Sequence, residues 1–298
     1  LTDLSPTEIN HLLELATQLK TKPHGQPLTG KTLALLFDKP STRTRISFEA
    51  GMLQLGGNVI NLSRQELQLG RGESIEDTAN VLNGYIDGIV IRTYDHQTVV
   101  TLANVAKIPV INGLTDLVHP CQALADLLTL QETKGTLAGL KLAYVGDGNN
   151  VLHSLMQGAA ITGIHLTVST PTSYEPDEIL WQEATTIAKQ TGASLTFYSN
   201  PIDAVRDADA IYTDTWVSMG QETEATQRQQ TFAAYQVNQT LLSYAKSDAV
   251  FLHCLPAHRG LEVSSDVIDG PQSVIWQQSE NRLHTQKALL IHLLRDIV

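Results

Sequence analysis

The chain has 298 residues, a formal net charge of -11 and 42% hydrophobic residues, enough for two domains with their own cores and too acidic to wrap nucleic acid or bind an anionic membrane. It has no apolar run long enough to cross a bilayer, and no cationic, hydrophobic signal segment opens it. Cys121 and Cys254 are its two cysteines, which argues against a disulfide scaffold and makes a reducing, cytoplasmic setting the expectation.

In chain order, Ser5-Pro6-Thr7-Glu8 is a capping box with proline in the first helical position, and Ile9, Leu12, Leu13, Ala16 and Leu19 continue along one helical face. Residues 33–37 form a short apolar run of buried-strand character, which Pro40 stops. Helical spacing resumes at Ile46 and runs to Gly56-Gly57. Between strand and helix stands Ser41-Thr-Arg-Thr-Arg45, hydroxyls and guanidiniums gathered where a helix N-terminus presents unpaired N–H groups. In an acidic protein, such a cluster points to a small anion such as a phosphate. A second strand is expected at 59–62, then a polar, glycine-bearing loop at 65–72 with Gln68 within reach of a ligand. Ser74 and Asp77 cap the next helix, and a strand at 88–92 delivers Arg92 at its end. A helix (97–106), a strand (109–112) and a long helix (119–132) follow, broken by Thr133-Lys-Gly-Thr136.

The alternation then restarts. Strands are expected at 141–145, 165–168, 194–198, 210–213 and 250–252, with helices at 152–161, 177–190, 201–206 and 238–246. The polar stretch 217–230 is expected to be a surface loop with at most a helical turn, and residues 279–297 a closing amphipathic helix. Strands alternating with helices imply an α/β fold of two doubly wound domains, each a mainly parallel sheet flanked by helices. The expected boundaries are 1–132 and 133–298, with the last helix, about 279–298, packing back on the first domain.

Ligands of open α/β sheets bind beyond the carboxyl ends of the strands. Six polar groups fall there: 41–45, Arg92, 119–122, 147–150, 214–220 and 253–255. Each has a plainer reading. Arg92 suits a surface ion pair, and His119-Pro-Cys-Gln122 an ordinary helix start. Gly146-Asp-Gly148 opens like a dinucleotide loop but lacks the third glycine, and the next strand runs out at Ser169-Thr170-Pro171 without an acid, so no NAD is expected. His253, Cys254 and His258 suggest zinc, yet no second cysteine lies at ligand spacing, so neither metal nor other cofactor is expected.

Taken together, four strings settle the family resemblance: Ser41-Thr-Arg-Thr-Arg45, His119-Pro-Cys-Gln122-Ala-Leu-Ala-Asp126, Asp214-Thr-Trp-Val-Ser-Met-Gly220 and His253-Cys-Leu-Pro256. The chain resembles the aspartate/ornithine carbamoyltransferase family across essentially its whole length, and the last two strings resemble its ornithine branch. The resemblance implies carbamoyl transfer from carbamoyl phosphate to the δ-amine of L-ornithine, within a homotrimer or a multiple of trimers. It assigns Ser41, Thr42, Arg43, Arg282 and, from a neighbouring subunit, Gln68 to the phosphate. Thr44, Arg92 and His119 face the carbonyl oxygen, while Gln122 and the Leu255 carbonyl orient the carbamoyl NH2. Asn150 and the Met219 backbone take the ornithine carboxylate, Asp214 and Ser218 its α-ammonium, and Cys254 lies by the reactive amine. The rivals are a carbamoyltransferase for putrescine or an acylated ornithine, and a ligand-binding relative without turnover.

Overall fold

A computed structural model of the protein describes residues 1–21, 25–63, 72–218 and 220–295. Two compact units divide it: one holds Asn10–Ala125 with the chain from Glu280 onward, the other Leu1–Ile9 with Asp126–Ser279.

The first unit carries most of α1 (Pro6–Thr21), then β1 (Thr32–Phe37), α2 (Thr42–Gln54), β2 (Asn58–Ser63), α3 (Ile75–Leu82), β3 (Gly88–Arg92), α4 (His96–Val105), β4 (Val110–Leu114) and the start of α5 (Pro120–Lys134). Its strands form one parallel sheet in the order β2-β1-β3-β4. The apolar runs of β1 and β3 stand in the centre because a parallel strand covered on both faces cannot afford alternating polar residues. Ala34, Leu36, Ile89 and Ile91 meet Ala79, Val99 and Leu102 of α3 and α4 in one core. The capping box forms as expected: the Ser5 N–H donates to Glu8 Oε2 at 2.8 Å and the Glu8 N–H to Ser5 Oγ at 3.2 Å.

The second unit continues with β5 (Lys141–Val145), α6 (Asn150–Thr162), β6 (His165–Ser169), α7 (Glu178–Thr191), β7 (Ser194–Phe197), α8 (Pro201–Val205), β8 (Ala210–Tyr212), α9 (Ala225–Phe232), α10 (Gln239–Leu242), β9 (Val250–Leu252), α11 (Ser265–Ile268) and the first residues of α12 (Ile275–Leu294). Its parallel sheet runs β7-β6-β5-β8-β9. Ala143, Val145, Ile211 and Phe251 of β5, β8 and β9 pack with Val205, Leu241, Val267 and Ile275.

All nine expected strands are present, and two parallel sheets with flanking helices is the architecture expected from the sequence. Three expectations need correcting. Residues 217–230 are not simply a loop: a 3-10 turn at Glu222–Glu224 leads into α9, which buries Arg228 and Phe232. Those two inward residues, four apart on one helical face, are hidden among glutamines and threonines. The helix expected at 238–246 shortens to the single turn of α10, and α11 forms where none was expected. The last helix starts at Ile275 rather than 279, because Ile275 and Gln278 are both fully buried despite the polar look of Ile-Trp-Gln-Gln.

Candidate active site

In the first unit, the chain leaves β1 at Phe37 and enters α2 at Thr42, with Ser41 as the N-cap. Ser41 Oγ accepts the Thr44 N–H at 3.1 Å, and the first turn of α2 carries no acid. An unopposed helix N-terminus with a guanidinium in its first turn suits an anion. The two arginines of the string part company there. Arg45 lies over the Phe37 ring, 5.4 Å from its centroid, whereas Arg43 acts on His119.

Arg92 ends β3 at a break in register, where the β4 partner jumps from Asn112 opposite Ile91 to Leu114 opposite Arg92. Such a bulge re-aims the side chain that follows it. Gly113 is the residue skipped, and a Cβ there would stand 3.2 Å from the Ile91 carbonyl oxygen. His119 and Gln122 open α5, and Arg282 reaches them from α12. Its Nη1 donates to Gln122 Oε1 at 2.8 Å and its Nη2 to Thr44 Oγ1 at 3.0 Å. Arg92, His119, Gln122, Thr44 and Arg282 are all buried.

Burial, then the positive charges of Arg282, Arg92 and Arg43, hold the His119 imidazole well below its ordinary pKa. The histidine is therefore neutral at physiological pH and can donate one N–H without bringing a fourth charge. A lowered histidine pKa means that stability is lost as pH falls below the unfolded value of about 6.5. Between about pH 6 and pH 8, NMR should find the His119 ring carbons at their neutral positions; a midpoint inside that range would contradict the geometry.

Sequence reasoning missed two supports of this unit. Lys39 is buried, pairs with Asp116 and sits 3.9 Å from the Tyr94 ring centroid, tying the turn before α2 to the loop before α5. Asp38 accepts the Thr93 hydroxyl at 2.8 Å, and its N–H donates to the Arg92 carbonyl at 2.9 Å, which fixes the end of β3.

The second unit gathers its polar groups at the ends of β5, β8 and β9. Asn149 is the N-cap of α6: its Oδ1 accepts from the N–H groups of Val151 (3.0 Å) and Leu152 (3.2 Å), and its Nδ2 donates to Asp214 Oδ2 at 2.7 Å. Cys254 Sγ donates to the other oxygen, Asp214 Oδ1, at 3.0 Å. Asp214 is thus buried and oriented from two sides. Asn150 occupies the first position of α6. Ser218 is half-buried, its N–H donating to Gln221 Oε1 at 3.1 Å.

His253 shapes the turn that follows β9. Its Nδ1 accepts the Leu255 N–H at 2.9 Å, so the proton of the neutral ring sits on Nε2, which faces Glu262 Oε1 at 3.2 Å. Burial opposes the charge of Glu262, but hydrogen bonds from His253 and the His258 backbone outweigh it and hold the carboxyl below its usual range. Leu255 takes a left-handed φ of 59° and precedes a cis Pro256. From the other side, Gln278 Oε1 accepts the His253 N–H at 2.9 Å, while its amide donates to Asp126 at 2.7 Å and the Tyr212 hydroxyl at 3.1 Å. Neither Gln278 nor Glu262 stood out in the sequence, since a lone buried Gln or Glu has no periodic signature.

Asp214, His253 and Cys254 each offer a possible metal-ligand atom, all within 4.8 Å of one another. Both nitrogens of His253 and both oxygens of Asp214 are already taken up by the bonds above. Gln68 and Met219, both expected in the site, lie outside the described residues.

One sheet thus carries a cluster of cations beside a helix N-terminus, and the other a carboxylate beside a thiol. The comparisons specify the kind of protein. Residues 1–132 match the family model described as "Aspartate/ornithine carbamoyltransferase, carbamoyl-P binding domain", and residues 138–293 that described as "Aspartate/ornithine carbamoyltransferase, Asp/Orn binding domain". The chain belongs to the aspartate/ornithine carbamoyltransferase family.

It is 58% identical to a protein named ornithine carbamoyltransferase from Anoxybacillus flavithermus, over 99% of this chain and 95% of that one. Among solved structures, an ornithine carbamoyltransferase from Pyrococcus furiosus superposes with a TM-score of 0.95 at 53% identity, covering 99% of this chain and 96% of that one. One from Giardia lamblia, at 32% identity, still gives a TM-score of 0.90, covering 99% and 96%.

Proposed function

We infer that this chain transfers the carbamoyl group of carbamoyl phosphate to the δ-amine of L-ornithine, forming L-citrulline and phosphate. The observation that carries the choice of acceptor is the Cys254–Asp214–Asn149 chain of hydrogen bonds. A buried carboxylate suits the α-ammonium of ornithine and repels the second carboxylate of aspartate.

In the reading that follows, the amine nitrogen attacks the carbamoyl carbon, the bond from that carbon to the phosphate oxygen breaks, and one amine proton departs. An alkylamine has a pKa of about 10.4, so the site must hold or create its neutral form. Cys254 stands beside Asp214 to orient that proton, or to accept it while passing its own thiol proton to the Asp214 carboxylate. Negative charge builds on the carbonyl oxygen and the leaving phosphate, and both need donors already in place. The Arg282 bond to Thr44 Oγ1 leaves the threonine proton to point at the carbonyl oxygen, alongside Arg92 and the neutral His119. Gln122 Oε1 has a second lone pair for the carbamoyl NH2, a task it shares with the Leu255 carbonyl. Ser41, Thr42, Arg43 and the N-terminus of α2 take the phosphate, with Gln68 supplied by a neighbouring subunit. Asn150, Ser218 and the Met219 backbone complete the amino-acid end. The chemistry requires both substrates in one water-poor volume, and the segment around Ser218 and Gly220 is our candidate lid.

We assign the enzyme to arginine biosynthesis in the cytoplasm, as a homotrimer or a multiple of trimers. Two buried or half-buried thiols without a disulfide favour a reducing compartment, and no helix among the described residues is long and apolar enough to cross a membrane. In favour of assembly, α2 exposes Ile46 and Leu53, seven residues apart and hence on one face, and the edge strand β2 exposes Ile60. Light scattering on the active protein should give three subunits or a multiple; a fully active monomer would contradict the assembly.

A colorimetric assay for carbamoylated product, run against ornithine, putrescine, an N-acylated ornithine and aspartate, tests the function. Turnover should be confined to ornithine. Preference for another amine, or binding of carbamoyl phosphate without turnover, would overturn it.

A further inference from the structure

Arg228 is a buried charge in the second unit, in a stretch whose composition gave no hint of it. Its guanidinium joins three separate pieces of chain. Nη1 lies 3.1 Å from Asp147 Oδ2, in the turn that leads from β5 to Asn149 and Asn150. The same nitrogen donates at 2.9 Å to the carbonyl of Trp216, midway between Asp214 and Ser218. The flat face of the group lies 4.8 Å from the Tyr174 ring centroid and 5.8 Å from that of Phe232. Nε closes the set on Glu224 at 3.2 Å.

These pieces are packed tightly together. Tyr174 edges onto Phe232 at 4.8 Å, and Phe232 stacks with Trp216 at 5.8 Å. The Gly148 N–H donates to the Tyr174 carbonyl at 2.9 Å, and a Cβ on Gly148 would come within 2.6 Å of the 174–175 backbone, so only glycine fits. Burial pushes the Asp147 carboxyl up to about 6, with Arg228 pulling the other way. Asp147 therefore depends on the arginine for its charge.

We propose that Arg228, paired with Asp147, is a positioning residue for the amino-acid substrate. It locks the Asp214-to-Ser218 segment in register with the Asn149–Asn150 helix start, so that the groups for the α-ammonium and the carboxylate are correctly spaced before substrate arrives. A planar, five-donor group is needed because the Asp147 carboxylate, the Trp216 carbonyl and an aromatic face must be held at once. The inference rests on ornithine being the acceptor.

The test is steady-state kinetics of R228K, R228Q and D147N beside the parent enzyme, with carbamoyl phosphate affinity measured separately by titration. Ornithine KM should rise at least about tenfold in R228Q and by less in R228K, with kcat within about threefold of the parent and carbamoyl phosphate Kd unchanged. A purely structural role would lower the melting temperature or the active fraction and leave ornithine KM alone, and that outcome overturns the proposal. D147N removes the pairing charge at nearly constant volume, so if R228Q fails to fold, an unchanged ornithine KM in D147N overturns the proposal equally. A parent enzyme that does not turn over ornithine would instead sink the functional reading itself.

Discussion

Arg43→Ala is expected to lower turnover by roughly a hundred- to thousand-fold, the usual scale for losing one preplaced donor that acts on developing charge. Arg43 lies in the first turn of α2, where Ser41 already caps the helix and no acid competes for the N-terminal amides. It is also one of the three cations that keep His119 neutral. Its removal therefore takes charge from the proposed phosphate cradle and relaxes the hold on the imidazole, while α2 keeps its Ser41 cap. The measurement is kcat with saturating substrates, together with a melting curve to show that folding is intact. Activity within about threefold of the parent would count against the phosphate assignment.

Asp214→Asn should be at least as damaging, and on the other substrate. Asp214 accepts from Asn149 on one oxygen and from Cys254 on the other. An asparagine must turn an NH2 toward one of these two donors, so one of the buried bonds becomes a donor facing a donor. The charge proposed to meet the α-ammonium is lost as well. Together these should lower kcat/KM for ornithine by roughly a thousand-fold, or about 4 kcal/mol, with carbamoyl phosphate affinity unchanged. A variant impaired equally toward both substrates would mean that Asp214 supports the fold rather than the acceptor.

The sequence displayed the architecture well, because parallel strands buried on both faces are short, continuous apolar runs between capped helices. All nine strands, the capping box at Ser5 and the N-cap at Ser74 are where pattern places them. The polar groups proposed for the site were legible for a related reason: those beyond strand ends sit at helix starts or turns, where polar clusters have no packing explanation. What pattern did not reveal is the layer behind them. Arg228, Gln278, Glu262 and Lys39 are buried polar residues whose partners lie far along the chain, from Asp147 for Arg228 to Asp126 for Gln278. Their burial is decided by tertiary contacts that periodicity does not encode. Asn149 was overshadowed by its neighbour: Asn150 matched the family pattern, yet it is Asn149 that caps α6 and holds Asp214. The register break that aims Arg92 is likewise invisible in one strand, since it is a property of the pair.

A crystal structure with a bisubstrate mimic, a phosphonate joined through a carbonyl to the side-chain nitrogen of ornithine, is the most direct test. The phosphonate should lie within about 3 Å of the α2 amides and the Arg43 guanidinium, with the carbonyl oxygen facing Thr44, Arg92 and His119 and the α-ammonium on Asp214. Phosphonate bound away from Arg43 and Arg92, or an amino-acid end that ignores Asp214, would contradict the account.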